Sequence, residues 1–452
     1  MDNTKQNKMG VMPEGKLLIS MSLPMMISML VQACYNIVDS VFVSRISEDA
    51  LTAVSLAFPL QTLMIAIAAG TGVGVNALVS RALGEQNKER VNKVAMNGVF
   101  VYLLSYIFVA LIGVFAVKPF YEIQTKAGQE NIMNLGVDYL QIVLICSFGI
   151  FGQFIFERLL QSTGRTFFTM ISQTIGAVIN IILDPIFIFG LGPVPKMGIK
   201  GAAIATVLGQ IVAGCVAFTW NQLKNHDVEL KLKGFRPDSR VIADIYKIGF
   251  PSIIMQSIGS IMTTGMNMIL MDLSQTAAAV FGAYFKLQSF FFMPLFGMNN
   301  GMIPIVAFNY GARNKKRMMN TLKYGYIISF CFMVAGFVGF VVFPDKLLLI
   351  FKPSANMMAI GVKALRIIAF HYLIAWYCII TGSMFQAVGK AVYSMYVSVA
   401  RQLVVLLPAA YILAKIGGVD LIWWSFPIAE LMSMCITTIC FIQVKKKVLD
   451  KI

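Results

Sequence analysis

The sequence predicts an all-α integral membrane protein with 12 transmembrane helices in two six-helix bundles, related by a pseudo-two-fold axis along the membrane normal. Of its 452 residues, 58% are hydrophobic and only 13% are charged, and the mean hydropathy is +0.75. Its apolar stretches repeatedly exceed the roughly 18 residues that mark a bilayer span. Its two halves also resemble each other in sequence. Together these observations exclude a soluble protein.

Twelve apolar segments are long enough to cross a bilayer as helices. They span residues 17–43, 51–79, 94–117, 135–160, 167–190, 199–220, 242–271, 277–305, 319–343, 358–385, 392–414 and 421–444. Several exceed the roughly 20 residues that a span needs, which predicts helices that tilt or extend beyond the hydrocarbon. The first 16 residues are polar and contain no small-residue cleavage site. We therefore expect no removable signal peptide.

The basic residues are concentrated in the segments that connect the helices. The formal net charge is +16, and Lys and Arg cluster in segments 81–90, 311–317 and 445–447. Most of them fall on the side of the N-terminus, which predicts that both termini are cytoplasmic in the plasma membrane. No basic stretch is interleaved with base-stacking aromatic residues, so we expect no nucleic-acid partner.

The chain is predicted to be an internal duplication. We expect an N-terminal six-helix lobe in residues 1–220, a cytoplasmic linker in residues 221–241 and a C-terminal six-helix lobe in residues 242–452. At a shift of 227, the matching pairs are Pro24 and Pro251, Gly70 and Gly297, Gly74 and Gly301, Gly84 and Gly311, and Asn87 and Asn314. Six spans per copy make both copies enter the membrane in the same direction. Such duplicated helical proteins are most often secondary transporters that rock two halves about a central cleft.

Two carboxylates lie inside predicted spans. Asp39 ends the run C-Y-N-I-V-D (34–39), and Asp184 ends N-I-I-L-D (180–184). Each has an amide one helical turn earlier, Asn36 and Asn180, that can donate to the carboxylate or share a cation with it. A carboxylate in hydrocarbon is costly unless it is paired, hydrated or protonated, so both acids are candidate functional residues.

The two acids are predicted to form an ion-coupling site. If their helices adjoin, repulsion between the carboxylates favours the capture of a proton or of Na⁺, for which Asp39 and Asp184 would be metal ligands. Their counterparts in the other half are Met266, at the shift of 227, and Ala409, at a shift of 225 that relates the later helices of the two halves, so the pair occurs in one copy alone. The alternative is a structural hydrogen-bonding role, with Asp39 simply at a helix end.

The C-terminal half has its own intramembrane polar residues. Lys286, Arg401 and Glu430 lie at similar depth and are expected to form one network, which is either a neutralised structural cluster or a substrate or conformational gate. His371 is either a proton relay or a hydrogen-bonded histidine. Gln256 either lines a cavity or bridges helices.

No motif indicates enzyme chemistry. The run G-T-G-V-G (70–74) lies inside the second span with no preceding strand, so it is not a nucleotide-binding loop. No Walker motif, H-E-x-x-H or nucleophile elbow is apparent. We therefore expect no enzyme activity and no cofactor, with H⁺ or Na⁺ as the coupling ion.

A set of motifs carries a family resemblance over nearly the whole chain. The motifs are S-L-P-M-M (22–26), N-I-V-D-S-V-F-V (36–43), the G-x-x-x-x-x-S-R-A-L-G exit of the second span (74–84), Q-S-T-G-R (161–165), N-I-I-L-D-P (180–185) and G-A-A-I-A-T (201–206). In this order they resemble the multidrug and toxic compound extrusion (MATE) family, nearest its DinF-like bacterial group.

The resemblance implies a V-shaped antiporter that exports amphipathic, often cationic, organic compounds in exchange for H⁺ or Na⁺. In DinF-like members the coupling site lies in the N-terminal lobe, and its residues match Asp39, Asn180, Asp184 and Thr206 here. NorM-like members use acids in the C-terminal lobe, including the seventh helix, where this chain has Gln256. That departure argues against coupling of the NorM type.

Other functions remain as alternatives. A flippase for lipid-linked precursors, of the same superfamily, would need a more cationic central cleft, for which Lys286 and Arg401 are candidates. A membrane enzyme or receptor is disfavoured. The expected partners are a small organic substrate and membrane lipid, and we expect the protein to function as a monomer.

Overall fold

A computed structural model describes residues 7–125, 128–231 and 233–451, and in these ranges the regular structure is helical. The first nine α-helices are α1 (Lys8–Val11), α2 (Glu14–Ser44), α3 (Glu48–Gly84), α4 (Lys88–Phe115), α5 (Val117–Gln124), α6 (Glu130–Ile145), α7 (Phe148–Ser162), α8 (Thr166–Phe189) and α9 (Ile199–Lys224). The others are α10 (Ser239–Leu273), α11 (Gln275–Gly311), α12 (Lys315–Val342), α13 (Pro344–Leu349), α14 (Ala355–Ala369), α15 (Tyr372–Ala387), α16 (Ala391–Val399), α17 (Leu407–Ile422) and α18 (Ser425–Lys447).

The helices fit the twelve predicted spans. Among the described residues, ten helical segments are long and apolar enough to cross a membrane, and two bent pairs, counted as one span each, raise the number to twelve. The fourth predicted span is α6 with α7, bent by 41°, and the tenth is α14 with α15, bent by 49°. The breaks at residues 146–147 and 370–371 lie 224 positions apart, within three residues of the shift of 227 that relates the two halves. The duplication thus extends to a bend in the fourth span of each copy.

Local backbone conformations also repeat between the halves. Asn87 caps α4, and Asn314 caps α12, each by accepting a hydrogen bond from the backbone N–H three residues later. The preceding residues, Gln86 and Arg313, have φ values of 54° and 53°. Because residues other than glycine rarely adopt positive φ, this shared turn is a detailed mark of common ancestry between the copies.

We name α2–α9 the N-terminal lobe and α10–α18 the C-terminal lobe. The lobes meet through two equivalent helix pairs, α3 with α10 and α2 with α11. Glycines make the approach close: a Cβ on Gly70 would lie 2.6 Å from the backbone nitrogen of Ile253, and one on Gly297 would lie 2.7 Å from the carbonyl oxygen of Met25. The hydroxyl of Ser22 donates across this interface to the carbonyl of Met298.

These glycine contacts lie toward one end of the molecule. They involve the first halves of α2 and α10 and the second halves of α3 and α11, which run in opposite directions through the bundle. The lobes are therefore closed against each other at the end where α2 begins.

Two features of the helices differ from the prediction: α9 and α10 are longer than expected, and a π-helix interrupts the eleventh span. Helix α9 extends to Lys224 and α10 begins at Ser239, so both helices reach into the segment 221–241 that was predicted to be a linker. In the eleventh span, a π-helix covers Ala400–Leu406 between α16 and α17. Pro408 follows it, and because proline has no N–H, it leaves the carbonyl of Val404 without its usual helical donor.

Candidate functional site

The N-terminal lobe encloses a cavity of about 580 Å³. Helices α2, α3, α6, α7, α8 and α9 surround it, and Asn300 of α11 reaches it from the other lobe. Asp39 and Asn36 lie on its wall together with Glu157 and Arg158. The cavity therefore joins carboxylates that are far apart in the sequence.

Two glycines bring α8 and α9 close together beside this cavity. A Cβ on Gly176 would lie 2.9 Å from the carbonyl oxygen of Gly209, and one on Gly209 would lie 2.8 Å from the carbonyl oxygen of Gly176. Only residues without a side chain permit such backbone contact. The close approach places Thr206 of α9 within hydrogen-bonding distance of Asn180 of α8.

Asn180 links the predicted residues of α8 and α9. Its side-chain N–H₂ group donates to the hydroxyl oxygen of Thr206 at 3.3 Å and to Oδ1 of Asp184 at 3.5 Å. Asp184 is 0% exposed and Asn180 is 3% exposed. Both distances are long for hydrogen bonds of this type, so the amide sits between its acceptors without binding either tightly.

Asp39 approaches this group from α2. Helix α2 packs against α8, and Asp39 lines the same cavity as Asn180. Three buried oxygens here have no hydrogen-bond partner among the described residues: Oδ1 of Asp39, Oδ1 of Asn180 and Oδ2 of Asp184. Buried polar atoms are normally paired. A proton between the carboxyl groups or a hard cation such as Na⁺ would satisfy them, because carboxylate and amide oxygens bind both.

Asn36 and Pro185 complete the predicted set around the acids. Asn36 is exposed on the cavity wall, and within the described ranges its side chain makes no hydrogen bond to Asp39. Pro185 lies inside α8, directly after Asp184. Since proline has no N–H, the carbonyl of Ile181 is left as a further oxygen on α8, one turn before the proline.

Two charged residues of this cavity, Glu157 and Arg158, were not among the predicted site residues. Both belong to α7 and are 1% and 6% exposed. They occur in F-I-F-E-R-L-L (154–160), inside the fourth predicted span. The rule that singles out intramembrane charges would have found them, but their position near the end of that span made them look like residues of the membrane boundary.

The predicted network of the C-terminal lobe is only partly present. Arg401 and Glu430 form an ion pair with 3.0 Å between Nη1 and Oε2. Lys286 is exposed on α11 and forms no ion pair or hydrogen bond within the part of the chain that the structure describes. The prediction of one network was wrong for Lys286, because similar depth in the membrane does not place side chains on facing sides of their helices.

His371 and Gln256 stand outside the N-terminal cavity. His371 is 4% exposed, its Nδ1 lies 2.6 Å from the carbonyl oxygen of Ile368, and its ring stacks on that of Phe292 at 5.9 Å. This supports a structural role at the break between α14 and α15. Gln256 is exposed on α10 and forms no hydrogen bond to another described residue. It therefore does not bridge helices in this state.

Known proteins resemble this chain over its whole length. The multidrug export protein MepA of Staphylococcus haemolyticus is 26% identical over 421 residues, covering 92% of this chain and 90% of that protein. An FAD transporter of Shewanella oneidensis is 26% identical over 433 residues, covering 93% of this chain and 92% of that protein. Both relatives are named as transporters rather than enzymes.

Solved structures show the same architecture. A multidrug resistance MATE family transporter of the MOP superfamily, in an outward-facing conformation, superposes with a TM-score of 0.92 at 26% identity, and all of both chains is covered. A MOP superfamily transporter from Pyrococcus furiosus superposes with a TM-score of 0.90 at 25% identity, again over both entire chains. The predicted two-lobed helical fold is thus confirmed.

The family match repeats within the chain. The model of the MatE family matches residues 24–186 and again residues 251–412. The two matches begin 227 positions apart, which is the shift that relates the paired glycines of α3 and α11. With more than half of its residues matched in two copies, this multi-pass membrane protein belongs to the MatE family.

Proposed function

We propose that this protein is a secondary active antiporter that exports amphipathic, often cationic, organic compounds in exchange for H⁺ or Na⁺. One observation carries the proposal: Asp39, Asn180 and Asp184 each have a buried oxygen without a hydrogen-bond partner among the described residues, and Asp39 and Asn180 line a cavity large enough for a small organic molecule. The names of the relatives, a multidrug exporter and an FAD transporter, support transport of organic compounds.

Helix α2 provides the mechanical link between the ion and the lobes. Its second half carries Asp39, and its first half packs against Gly297 and Gly301 of α11 in the other lobe. When the carboxyl groups of Asp39 and Asp184 are both charged, they repel each other and favour separation of α2 from α8. Capture of the ion removes this repulsion, and the resulting movement of α2 acts directly on the contact between the lobes.

We further propose the orientation and the domain boundaries. The predominance of Lys and Arg on the side of the N-terminus supports cytoplasmic termini. With that orientation, the closed end faces the cytoplasm and the protein is in its outward-facing state. Residues 1–220 and 242–452 are then the two moving lobes, and residues 221–241 connect them on the cytoplasmic side. A charge that enters across 100 mV releases about 2.3 kcal/mol, enough to drive appreciable accumulation. We propose that one chain suffices for transport.

The proposal is tested in proteoliposomes that contain an organic cation dye. We expect export to respond to a pH step or to a Na⁺ step, applied separately, and the step that drives export identifies the ion. Asp39→Asn is expected to abolish ion-driven export while the protein still inserts. Asp272→Asn, near the end of α10 in the other lobe, is the matched control and should transport normally. Unimpaired export by Asp39→Asn would show that Asp39 does not couple ion entry to export.

The FAD transporter among the relatives raises a second candidate, the export of an anionic nucleotide. The cavity argues against it, because its wall contains two carboxylates, those of Asp39 and Glu157, and one cation, that of Arg158. The flippase alternative is likewise weakened, since Glu430 neutralises Arg401 and leaves Lys286 as the remaining proposed cation. Competition of FAD with the dye in the same proteoliposomes distinguishes these candidates.

A further inference from the structure

The cavity has a second acidic position well separated from Asp39. Glu157 of α7 accepts a hydrogen bond from Gln173 of α8, and Gln173 is in turn hydrogen-bonded to Ser28 of α2. Ser28 precedes Asp39 by 11 residues on the same helix. At a rise of about 1.5 Å per residue, the level of Glu157 is therefore about 16 Å from that of Asp39, toward the closed end.

Amides, and no cation, hold the carboxylate of Glu157 in place. Its Oε1 accepts from the side chain of Gln153 at 2.9 Å, and its Oε2 accepts from that of Gln173 at 2.6 Å. Within residues 7–125, 128–231 and 233–451, no cationic nitrogen lies within the 4.0 Å of an ion pair. The side chain is nevertheless buried, with 1% of the residue exposed. The amides orient the carboxylate, and among the described residues no cation forms an ion pair with it.

The neighbouring Arg158 is engaged elsewhere. Its Nη1 donates to Oε1 of Gln161 at 2.8 Å and, across the lobe interface, to Oδ1 of Asn300 at 3.0 Å. Its guanidinium carbon lies 5.8 Å from the centre of the Phe154 ring. The guanidinium thus binds neutral amide oxygens that join the two lobes, and it does not pair with Glu157.

The surroundings of Glu157 suit an organic cation. The cavity wall carries adaptable thioether and aromatic side chains, which accept apolar groups of varied shape; these are Met25, Met29, Phe58, Met64 and Phe154. A ligand with an apolar body and an ammonium group can bury the body against this wall and place its charge beside the buried carboxylate. An anion would instead meet a carboxylate at each level of the cavity.

We propose that Glu157 is the substrate-recognition residue for the cationic group of an amphipathic ammonium compound, and that this substrate and the coupling ion use different carboxylates of one cavity. This inference rests on the exporter function proposed above and adds a division of labour to it. Glu157 selects the charge of the substrate, while Asp39 and Asp184 take the ion. Substrate release then follows from movement of the helices that line the cavity, without direct competition for one acid.

Equilibrium binding of dyes to the purified full-length protein tests whether the substrate and the coupling ion use different carboxylates. Two probes are used: a fluorescent dye with a quaternary ammonium group, and the same dye with an uncharged tert-butyl group in its place. We expect Glu157→Gln to weaken binding of the cationic dye by about tenfold or more, equivalent to about 1.4 kcal/mol. The uncharged dye should change by less than about twofold. Equal effects on both dyes, or no effect on either, would overturn the inference.

The variant Asp39→Asn supplies an independent arm that does not depend on the folding of Glu157→Gln. It should keep the preference for the cationic dye over the uncharged dye, even if a shift between the two states of the lobes changes both affinities together, because its acid is assigned to the ion. If its preference for the cationic dye falls as strongly as that of Glu157→Gln, the substrate binds at Asp39, and the assignment of separate carboxylates to substrate and ion is wrong. Glu157→Asp, which retains the charge, should recover most of the preference for the cation, and thermal unfolding of each variant verifies its fold.

The binding assay needs no ion gradient, so its failure is distinct from failure of the exporter proposal. Dye binding that depends on Glu157, without any ion-driven export, would contradict antiport and leave the recognition site standing. Ion-driven export without charge selection at Glu157 would contradict this inference alone.

Discussion

Gly84 of α3 and Gly311 of α11 are equivalent residues of the two halves, and each packs against the backbone of the opposite lobe. Gly84 contacts the carbonyl of Phe308, and Gly311 contacts that of Arg81. Arg81 and Phe308 are themselves equivalent at the shift of 227. The closed end is therefore built from one contact used twice, as two-fold symmetry requires.

This symmetry predicts that a single methyl group can open the closed end. Gly84→Ala or Gly311→Ala places a Cβ against a backbone carbonyl, and such overpacking costs about 1–3 kcal/mol. We expect each variant to favour the state in which the lobes separate at this end. The measurement is the labelling rate of a single cysteine introduced beside the interface. Gly282→Ala, in α11 but with nothing within 4 Å of its Cβ, is the control and should label at the normal rate.

Residues 7–13 form a strap that ties the lobes together at the same end. Asn7 donates to the carbonyl of Thr163 at 3.1 Å in the N-terminal lobe, and Arg317 of the C-terminal lobe donates to the carbonyl of Met12 at 2.6 Å. Arg317→Gln should weaken the strap by about 1.5–3 kcal/mol, because hydrogen bonds to charged donors are worth that much. We expect a lower unfolding temperature, whereas Arg313→Gln, whose side chain is exposed, should leave it unchanged.

Replacing one member of the ion pair between Arg401 and Glu430 is predicted to lower the free energy of unfolding. Arg401→Met leaves Glu430, whose side chain is 3% exposed, without its counter-charge, and such changes cost about 3–5 kcal/mol. Since the Arg401 side chain is itself 30% exposed, we expect the lower end of that range. The double variant Arg401→Met with Glu430→Met should recover most of the loss in thermal unfolding. If the two losses simply add, the ion pair is not the reason for the cost.

Attachment of the segment between α9 and α10 is predicted to depend on pH. Hydrogen bonds from Lys231 and Lys88 lower the pKa of Glu229 to about 2, from its usual 4.5. A depressed pKa means that the ionised form is stabilised in the folded state, so the contribution is complete above pH 4.5 and is lost as the pH falls toward 2. The protection of residues 225–238 from hydrogen exchange should therefore be greater at neutral pH than near pH 2.

Glu229→Gln provides the comparison for the linker. We expect it to raise exchange in residues 225–238 at neutral pH and to remove the response to acid between pH 4.5 and 2. Because this carboxylate is exposed, the effect should also shrink in high salt. An unaltered exchange pattern in the variant would show that other contacts hold the linker, such as the ion pair between Lys93 and Asp238.

The candidate coupling residues were accessible from sequence because their signal is local. Asp39 and Asp184 interrupt apolar runs, and their amide neighbours lie one turn away on the same helix. Thr206 needed the family resemblance, since nothing near it in the chain marks it. Their meeting beside one cavity depends on Gly176 and Gly209, whose role in bringing α8 to α9 is visible only in the folded protein.

For the charged residues whose surroundings were not predicted, the deciding signal is not local in the sequence. Lys286 and Arg401 look alike in sequence, yet Arg401 pairs with Glu430 and Lys286 does not. Glu157 looks like a residue of the membrane boundary until Gln173 of another helix covers it. In each instance the deciding partner lies on a different helix, where hydrophobicity and spacing along one segment carry no information.

The sequence by itself determined the membrane location, the twelve spans, their arrangement as two copies and the presence of acids in the N-terminal copy. Those features follow from composition, periodicity and repetition, which are properties of the chain before it folds. The tertiary structure alone decided which charges are paired, which line the cavity and which end is closed. Those outcomes depend on the directions in which side chains leave different helices, and packing between distant segments sets these directions.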